Sequence, residues 1–201
     1  RHRIRKYYRR ESVVVFPPVS IDNYSIGTGS HEYFLTVSAL VPYKRVDLAV
    51  QTCRRLGVKL KVVGDGPERA RLQKMAGKET EFVGWVSQKE LTGLYQNATA
   101  LLYPGEEDFG IAPVEAQACG VPVIGYGYGG VLDTVIPNGE NQTGIFFYEQ
   151  TPEALTNAMK QLEAKQLDPQ VIRHHGENFS RERFRSEMSD IIINTWNRMQ
   201  L

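Results

Sequence analysis

Two glutamates eight positions apart, Glu107 and Glu115, lie within the stretch Gly105-Glu-Glu-Asp-Phe-Gly-Ile-Ala-Pro-Val-Glu-Ala-Gln-Ala-Cys-Gly-Val-Pro-Val-Ile124. A carboxylate is a poor phosphate ligand but a good acceptor for sugar hydroxyls, which donate to it in charge-assisted bonds. Between the glutamates, Gly110 and Ile111 open a helix-like segment. Its free N–H groups and positive end suit an anion such as a diphosphate. Amides for phosphate, with carboxylates for hydroxyls on either side, would make a site for a nucleotide-sugar. The same residues also read as a solvated acidic loop, Glu106, Glu107 and Asp108, with Glu115 capping nothing. Upstream, Lys44 and Arg45 add two cations suited to a diphosphate or serving as plain surface charge.

The flanking sequence supplies elements that would position these groups. Ala98 to Tyr103 is an apolar run of strand length, ended by Pro104 and Gly105. A helix follows from about Ile111 to Cys119, with Pro113 in its first turn and Gly120 as the C′ residue. Val121 to Ile124 reads as the next buried strand, completing a β-α-β unit with a right-handed crossover. Ligands in such sheets bind beyond the carboxyl ends of the strands, where the Gly105–Gly110 loop would lie. Lys44 and Arg45 follow a strand over Tyr33–Ser38 and precede a helix from about Val46 to Leu56, stopped by Gly57.

Further β-α units surround this pair. A strand over Leu60–Val63 leads into the tight turn Gly64-Asp65-Gly66-Pro67-Glu68. A short strand, Glu81–Val83, ends in Gly84-Trp85-Val86, and Ser87 with Glu90 forms a capping box for a helix to about Asn97. Gly125 to Gly130 is a glycine-rich loop able to approach a phosphate, opening a short helical segment through Val135. Thr143–Tyr148 is the last strand, and Thr151-Pro152 starts a helix. A short helix spans about Pro169–Asn178, with His174 and His175 read as surface residues, and Ser180 caps a final helix, Glu182–Gln200. Near the amino terminus, Val13–Phe16 reads as a strand and Pro17-Pro18 as a stiff break. Asp22–His31 reads as a loop.

The segment from Glu107 to Ile124, Glu-Asp-Phe-Gly-Ile-x-Pro-x-Glu-Ala-x-Ala-Cys-Gly-x-Pro-Val-Ile, closely resembles the donor-site signature of retaining family 4 glycosyltransferases of GT-B fold. The resemblance implies a Rossmann-like, three-layer α/β domain with about six parallel strands, the C-terminal half of a GT-B fold. It also implies that Glu107 lies against the donor sugar, that Phe109, Gly110 and Ile111 offer backbone amides to sugar and phosphate with Asp108 beside them in the donor site, and that Glu115 holds the ribose. Leu-Val-Pro-Tyr-Lys44 resembles the family's phosphate-binding turn. Many members carry an arginine where Ala39 stands, and Arg45 is expected to take up that charge. By the same resemblance Gly64, Asp65 and Gly66 lie near the nucleotide, and Trp85 and Val86 frame the base. The donor would be GDP-mannose or a UDP-sugar, and the Pro-Tyr-Lys-Arg turn favours GDP-mannose. The absence of an Asp-x-Asp sequence fits metal-independent catalysis with no cofactor.

The start of the chain resembles the family's passage out of a first domain. Residues 1–31 are therefore expected to be the tail of that domain and a linker, 32–178 the donor-binding domain, and 179–201 a helix crossing back. The acceptor, a sugar or lipid-linked sugar, would bind largely on that first domain. Other readings are a nucleotide-sugar epimerase of GT-B fold or a non-catalytic nucleotide-sugar-binding module. A dinucleotide-dependent oxidoreductase is disfavoured, because the first strand leads into Ala-Leu-Val-Pro-Tyr-Lys and not into a glycine fingerprint.

With 201 residues, the chain can hold one sizeable α/β core. A net charge of +1 gives no global attraction to nucleic acid. The basic, aromatic run Arg1–Arg10 reads as a nucleic-acid arm or a solvated helix end, and the second is preferred because no such patch recurs downstream. No apolar run approaches the roughly 20 residues of a membrane helix. Cys53 and Cys119 read as small buried hydrophobes, which suggests a reducing compartment. The expected location is the cytoplasm, with peripheral association of the complete enzyme at the inner membrane face. The sequons at Asn23, Asn97, Asn141 and Asn178 read as chance matches.

Overall fold

In the computed structural model, which describes residues 1–29 and 31–199, each of six apolar runs is a strand. In chain order the elements are α1 (His2–Tyr8), β1 (Tyr33–Val37), α2 (Val46–Leu56), β2 (Leu60–Val63), α3 (Arg69–Met75), β3 (Thr80–Gly84), α4 (Gln88–Gln96), β4 (Ala98–Tyr103), α5 (Ile111–Ala118), β5 (Val123–Tyr126), α6 (Val131–Thr134), β6 (Gly144–Phe147), α7 (Pro152–Glu163), α8 (Pro169–Glu177) and α9 (Arg181–Met199). The strands form one parallel sheet in the order β3-β2-β1-β4-β5-β6. Both faces of such a sheet must be covered, so its strands carry apolar side chains on both sides.

Alternation along the strands divides the core. Phe34, Val62, Leu102, Ile124 and Ile145 face one cluster with residues of α2 and α7, including Ala49, Leu155 and Met159. Leu35, Val63, Leu101 and Val123 face the other with Tyr95 of α4 and Val114 and Ala118 of α5. This is the expected Rossmann-like, three-layer arrangement. Strand order reverses between β1 and β4, and the crevice at such a switch point is where open α/β sheets place their ligands. Lys44 follows β1 and Glu107 follows β4, so the topology brings both to that crevice.

Local chemistry explains several boundaries. Gly120 takes φ 74° after α5, its N–H donates to Gln117 O (2.8 Å), and Val121 N–H donates to Ala116 O (3.0 Å). This is a Schellman closure, which needs a left-handed residue that glycine supplies without strain. It also shifts β5, expected at Val121–Ile124, to Val123–Tyr126: Val121 spends its N–H on the helix and Pro122 has none. Val13–Phe16 is not a strand. Val13 is 74% exposed and Val14 53% exposed, while Phe16 turns in to stack on Phe109 at 5.8 Å. Pro17-Pro18 removes two ladder donors, and β3 and β6 already form the sheet edges. The loop expected from Asp22 starts inside a turn of 3₁₀ helix, Ile21–Asn23. Gln200, expected in the last helix, lies outside the described residues.

His174 is exposed as expected, but His175 is not a surface residue. Its ring packs edge-on against Phe179 at 5.6 Å, Nε2 lies 3.2 Å from Thr134 O, and burial lowers its pKa. Cys53 and Cys119 are free and buried, and burial pushes both thiols up to about 12. Among the described residues no helix is long and apolar enough to cross a membrane.

The capping box at α4 is present in both directions: Ser87 Oγ accepts from Glu90 N–H (3.4 Å), and Glu90 Oε2 accepts from Ser87 N–H (2.8 Å). Ser87→Ala removes one arm and is expected to lower unfolding free energy by about 1 kcal/mol. In thermal melts that is a drop of about 2–4 °C for a domain of this size. An unchanged melting temperature would contradict the assignment of this cap.

Candidate active site

The site is built where β1 and β4 end. Pro42 opens a single 3₁₀ turn, Pro42–Lys44, after which Arg45 takes the left-handed conformation (φ 52°) and α2 begins. That turn directs the Lys44 ammonium onto the Glu107 carboxylate, with the two side chains 18% and 21% exposed. Burial draws the Lys44 ammonium down from its usual value. Beside the pair lies a cavity of about 370 Å³, lined by Ser38, Lys44, Tyr103, Glu107, Asp108, Phe109, Gly110, Ile111 and their neighbours.

The amino end of α5 faces this cavity. Gly110 is its N-cap at φ 89°, a conformation favouring glycine, and no side chain caps the helix. No acidic side chain occupies its first turn either. The positive end of the dipole is therefore left for an external anion. Phe109 borders the cavity and also joins an aromatic cluster. Its ring is clamped between Phe16 and Phe179, the latter at 5.6 Å, which fixes the backbone of the loop.

A second strut holds the loop from the β5 side. Glu107 and Gly129 form an isolated parallel bridge, and Gly130 N–H donates to Glu107 O at 2.6 Å. The glycines expected to approach a phosphate thus approach the Glu107–Phe109 backbone. Arg45 is turned away from the Lys44 cavity. Its Nε donates to Asp47 Oδ1 (3.2 Å) and its Nη1 to Gln150 Oε1 (3.0 Å), and it lines an adjoining cavity of about 640 Å³ with Tyr43, Glu106, Asp133 and Gln150. Glu107 and Asp108 border both cavities.

Glu115 lies one helical turn further along α5, half-buried, with its Oε2 accepting from the Tyr95 hydroxyl at 3.0 Å. Gly64, Asp65 and Gly66 form the turn after β2, packed against the end of β1. A Cβ on Gly64 would lie 2.0 Å from Ser38 O, and Leu40 N–H donates to Asp65 O at 2.9 Å. The Asp65 carboxylate is engaged by Gly66 N–H and Arg69. Trp85 is 85% exposed after β3. Val86 lines a different groove with Tyr33, Lys61 and Glu90. Lys44, Glu107, Asp108, Phe109, Gly110 and Ile111 are therefore brought to one cavity; Arg45, Gly64, Asp65, Gly66, Trp85, Val86 and Glu115 do not line it. Ser38, Tyr103 and Tyr95 carry no local sequence signal of a site; Tyr95 in an amphipathic helix reads as core from its spacing alone. Among the described residues no three His, Cys, Asp or Glu side chains gather as a metal site.

The family model described as glycosyl transferases group 1 matches residues 21–179, from the turn before β1 to the end of α8. This chain belongs to the group 1 glycosyl transferases. Within that family it is 26% identical over 159 residues to an uncharacterized glycosyltransferase of Methanocaldococcus jannaschii, an alignment covering 77% of this chain and 44% of the relative. It is 38% identical over 121 residues to a GDP-mannose-dependent alpha-mannosyltransferase of Corynebacterium glutamicum, covering 59% of this chain and 29% of the relative. The fold matches sucrose-phosphate synthase of Thermosynechococcus elongatus with a TM-score of 0.77 and 22% identity, over 98% of this chain and 56% of that one. This group 1 glycosyl transferase chain thus spans less than half the length of these curated relatives.

Proposed function

We propose that this chain is the donor-binding half of a retaining glycosyltransferase that takes a hexose from a nucleotide-diphosphate sugar. The observation that carries this reading is the cavity at the switch point. It is bordered by the Lys44–Glu107 pair and the side-chain-free amino end of α5, with Glu115 one turn along the same helix. The diphosphate lies against the Gly110 and Ile111 amides and Lys44. As the bond to the sugar breaks, negative charge grows on the departing diphosphate, and these groups stabilise it electrostatically. Arg45 adds its field from the adjoining cavity. Glu107 accepts from hydroxyls of the sugar and orients it, and Glu115 accepts from the ribose. The turn after β2 and the Trp85–Val86 segment lie beyond this cavity, at the carboxyl ends of β2 and β3, where a base extending from the ribose would meet them.

The positive charge the reaction needs comes from Lys44 and backbone amides, so the proposed chemistry requires no metal or other cofactor. GDP-mannose is the favoured donor, supported by the GDP-mannose-dependent relative and the Pro-Tyr-Lys-Arg turn; a UDP-sugar is the alternative. The acceptor, a sugar or lipid-linked sugar of polysaccharide or glycolipid synthesis, is held by a further domain outside these residues.

In calorimetric titrations with GDP, UDP and NAD, the chain is expected to bind one diphosphate nucleotide selectively, and a chelator should leave that affinity unchanged. Incubated with GDP-mannose or a UDP-sugar and simple sugar acceptors, it should transfer little or nothing. A folded chain that binds neither GDP nor UDP would contradict the donor site. Ready transfer by the isolated chain would contradict the placement of the acceptor half elsewhere.

A further inference from the structure

Glu115 can serve a ribose only if one of its oxygens is held facing the cavity. The helix helps, because every Cα–Cβ bond leans toward the helix amino terminus, here toward Gly110 and Ile111. Rotation about the side-chain bonds still leaves a half-buried glutamate several positions. The structure restricts this freedom from α4. Tyr95 is fully buried, and its hydroxyl lies 3.0 Å from Glu115 Oε2. The one other acceptor in reach, Ala112 O, is at 3.5 Å, so the single phenolic proton goes to the carboxylate.

Tyr24 meets the Tyr95 ring edge-on at 5.9 Å, packing it from the segment before β1. Burial and the facing Glu115 charge push the Tyr95 phenol well above its usual pKa, so it remains a donor throughout the working range. A phenol donating to a carboxylate is a charge-assisted bond, about twice as strong as a neutral one. It satisfies Oε2. The Tyr24 phenol also faces this carboxylate, so the lone pairs left for a ligand are those of Oε1 that Tyr24 does not engage.

We infer that Tyr95 is the positioning residue for Glu115: it holds one carboxylate oxygen so that the other meets the vicinal ribose hydroxyls of the donor nucleotide. This rests on the donor-site reading above. Tyr95 never touches the nucleotide; it acts by fixing Glu115 beforehand, which lowers the ordering cost of binding.

Tyr95→Phe removes only the hydroxyl and keeps the buried ring. Wild type and variant are titrated calorimetrically with GDP and UDP and with the 2′,3′-dideoxy form of each. Wild type should prefer the ribose form. Tyr95→Phe should weaken that form about tenfold, the scale of one hydrogen bond to a charged group. It should leave the dideoxy form within about twofold, and in a Glu115→Ala background it should add nothing.

A second variant, Glu115→Gln, keeps Tyr95 intact. If Tyr95 fixes the acceptor, the glutamine carbonyl turns to Tyr95 and the amide nitrogen faces the ribose, where it can only donate, so the preference for the ribose form falls below that of wild type. Equal weakening of both nucleotide forms by Tyr95→Phe, or no weakening of either, would overturn the inference. So would a Glu115→Gln variant that keeps the wild-type preference. The donor-site reading would survive all three results. Wild type that binds neither GDP nor UDP would overturn that reading and this inference together.

Discussion

Gly130→Ala is expected to lower affinity for the donor nucleotide about 100-fold or more, although Gly130 does not line the Lys44 cavity. Its φ is not in the left-handed region, so the cost is purely steric. A Cβ there would lie 2.2 Å from Phe109 Cα, 2.4 Å from Phe109 N and 2.5 Å from Asp108 C, all of them backbone atoms. Phe109 cannot retreat without unseating its ring from Phe16 and Phe179, so the loop must shift as a whole. The bond from Gly130 N–H to Glu107 O goes with it. A displacement of about 1 Å in a positioning loop is enough for about a 100-fold loss. The stability cost is of similar size, about 1–3 kcal/mol for an overpacked contact that can relax outward. Calorimetry with GDP and UDP beside a urea melt separates the two. A variant that binds like wild type would contradict the role of the strut.

Lys44→Met is expected to have an effect of similar size for a different reason. It removes the one cation that lines the donor cavity among the described residues and leaves the Glu107 carboxylate beside an incoming diphosphate with no partner. Breaking a fully buried pair costs about 3–5 kcal/mol of stability. With both side chains about one-fifth exposed, solvent screening reduces this to about 1–2 kcal/mol. Donor affinity should fall about 100-fold, within the range for truncating one partner of a desolvated charge contact. The double variant Lys44→Met, Glu107→Gln should regain most of the stability and little of the affinity, since the unpaired charge is gone but no cation has returned. Arg45→Ala provides the contrast. Its guanidinium is held by Asp47 and Gln150 and acts on the diphosphate only through a screened field, so a loss of about threefold is expected. Equal losses for Lys44→Met and Arg45→Ala would contradict this division of roles.

Local rules made much of this fold legible. The bounds of α2 follow from Pro42 upstream and Gly57 at its end, where φ is 67°. The Ser87–Glu90 box, Thr151-Pro152 and Gly120 mark helix ends by chemistry that needs no distant partner. The six apolar runs point to a buried parallel sheet because strand-length segments alternate with helical ones. Where expectation and structure part, the deciding contact is distant or already taken. Val13–Phe16 has strand composition but no neighbour to pair with. Val121 has strand composition but its N–H closes α5. His175 looks like a surface residue in its own helix until Phe179 and Thr134 cover it.

The candidate site divides in the same way. Gly110, Ile111, Glu107 and Glu115 stand out because their stretch resembles the family's donor-site signature; amides and carboxylates in one short stretch by themselves also read as a solvated acidic loop. The Lys44–Glu107 pair joins residues 63 positions apart, and its existence depends on β1 lying beside β4. Arg45 and Lys44 are adjacent in sequence yet line different cavities, because the left-handed residue between the 3₁₀ turn and α2 sends them apart. Tyr95 and Glu115 lie on consecutive helices separated by a strand, and no pattern within either helix announces their hydrogen bond.

The central claim is that a nucleoside diphosphate lies against the amino end of α5 beside Lys44. Amide resonances of the ¹⁵N-labelled chain, followed during titration with GDP and with UDP, test this most directly. The account predicts that the largest shifts fall on Gly110 and Ile111, followed by Ser38 and Lys44, with Asp133 and Gln150 little affected. Shifts centred on Asp133 and Gln150, with Gly110 and Ile111 unmoved, would place the anion in the adjoining cavity and contradict it.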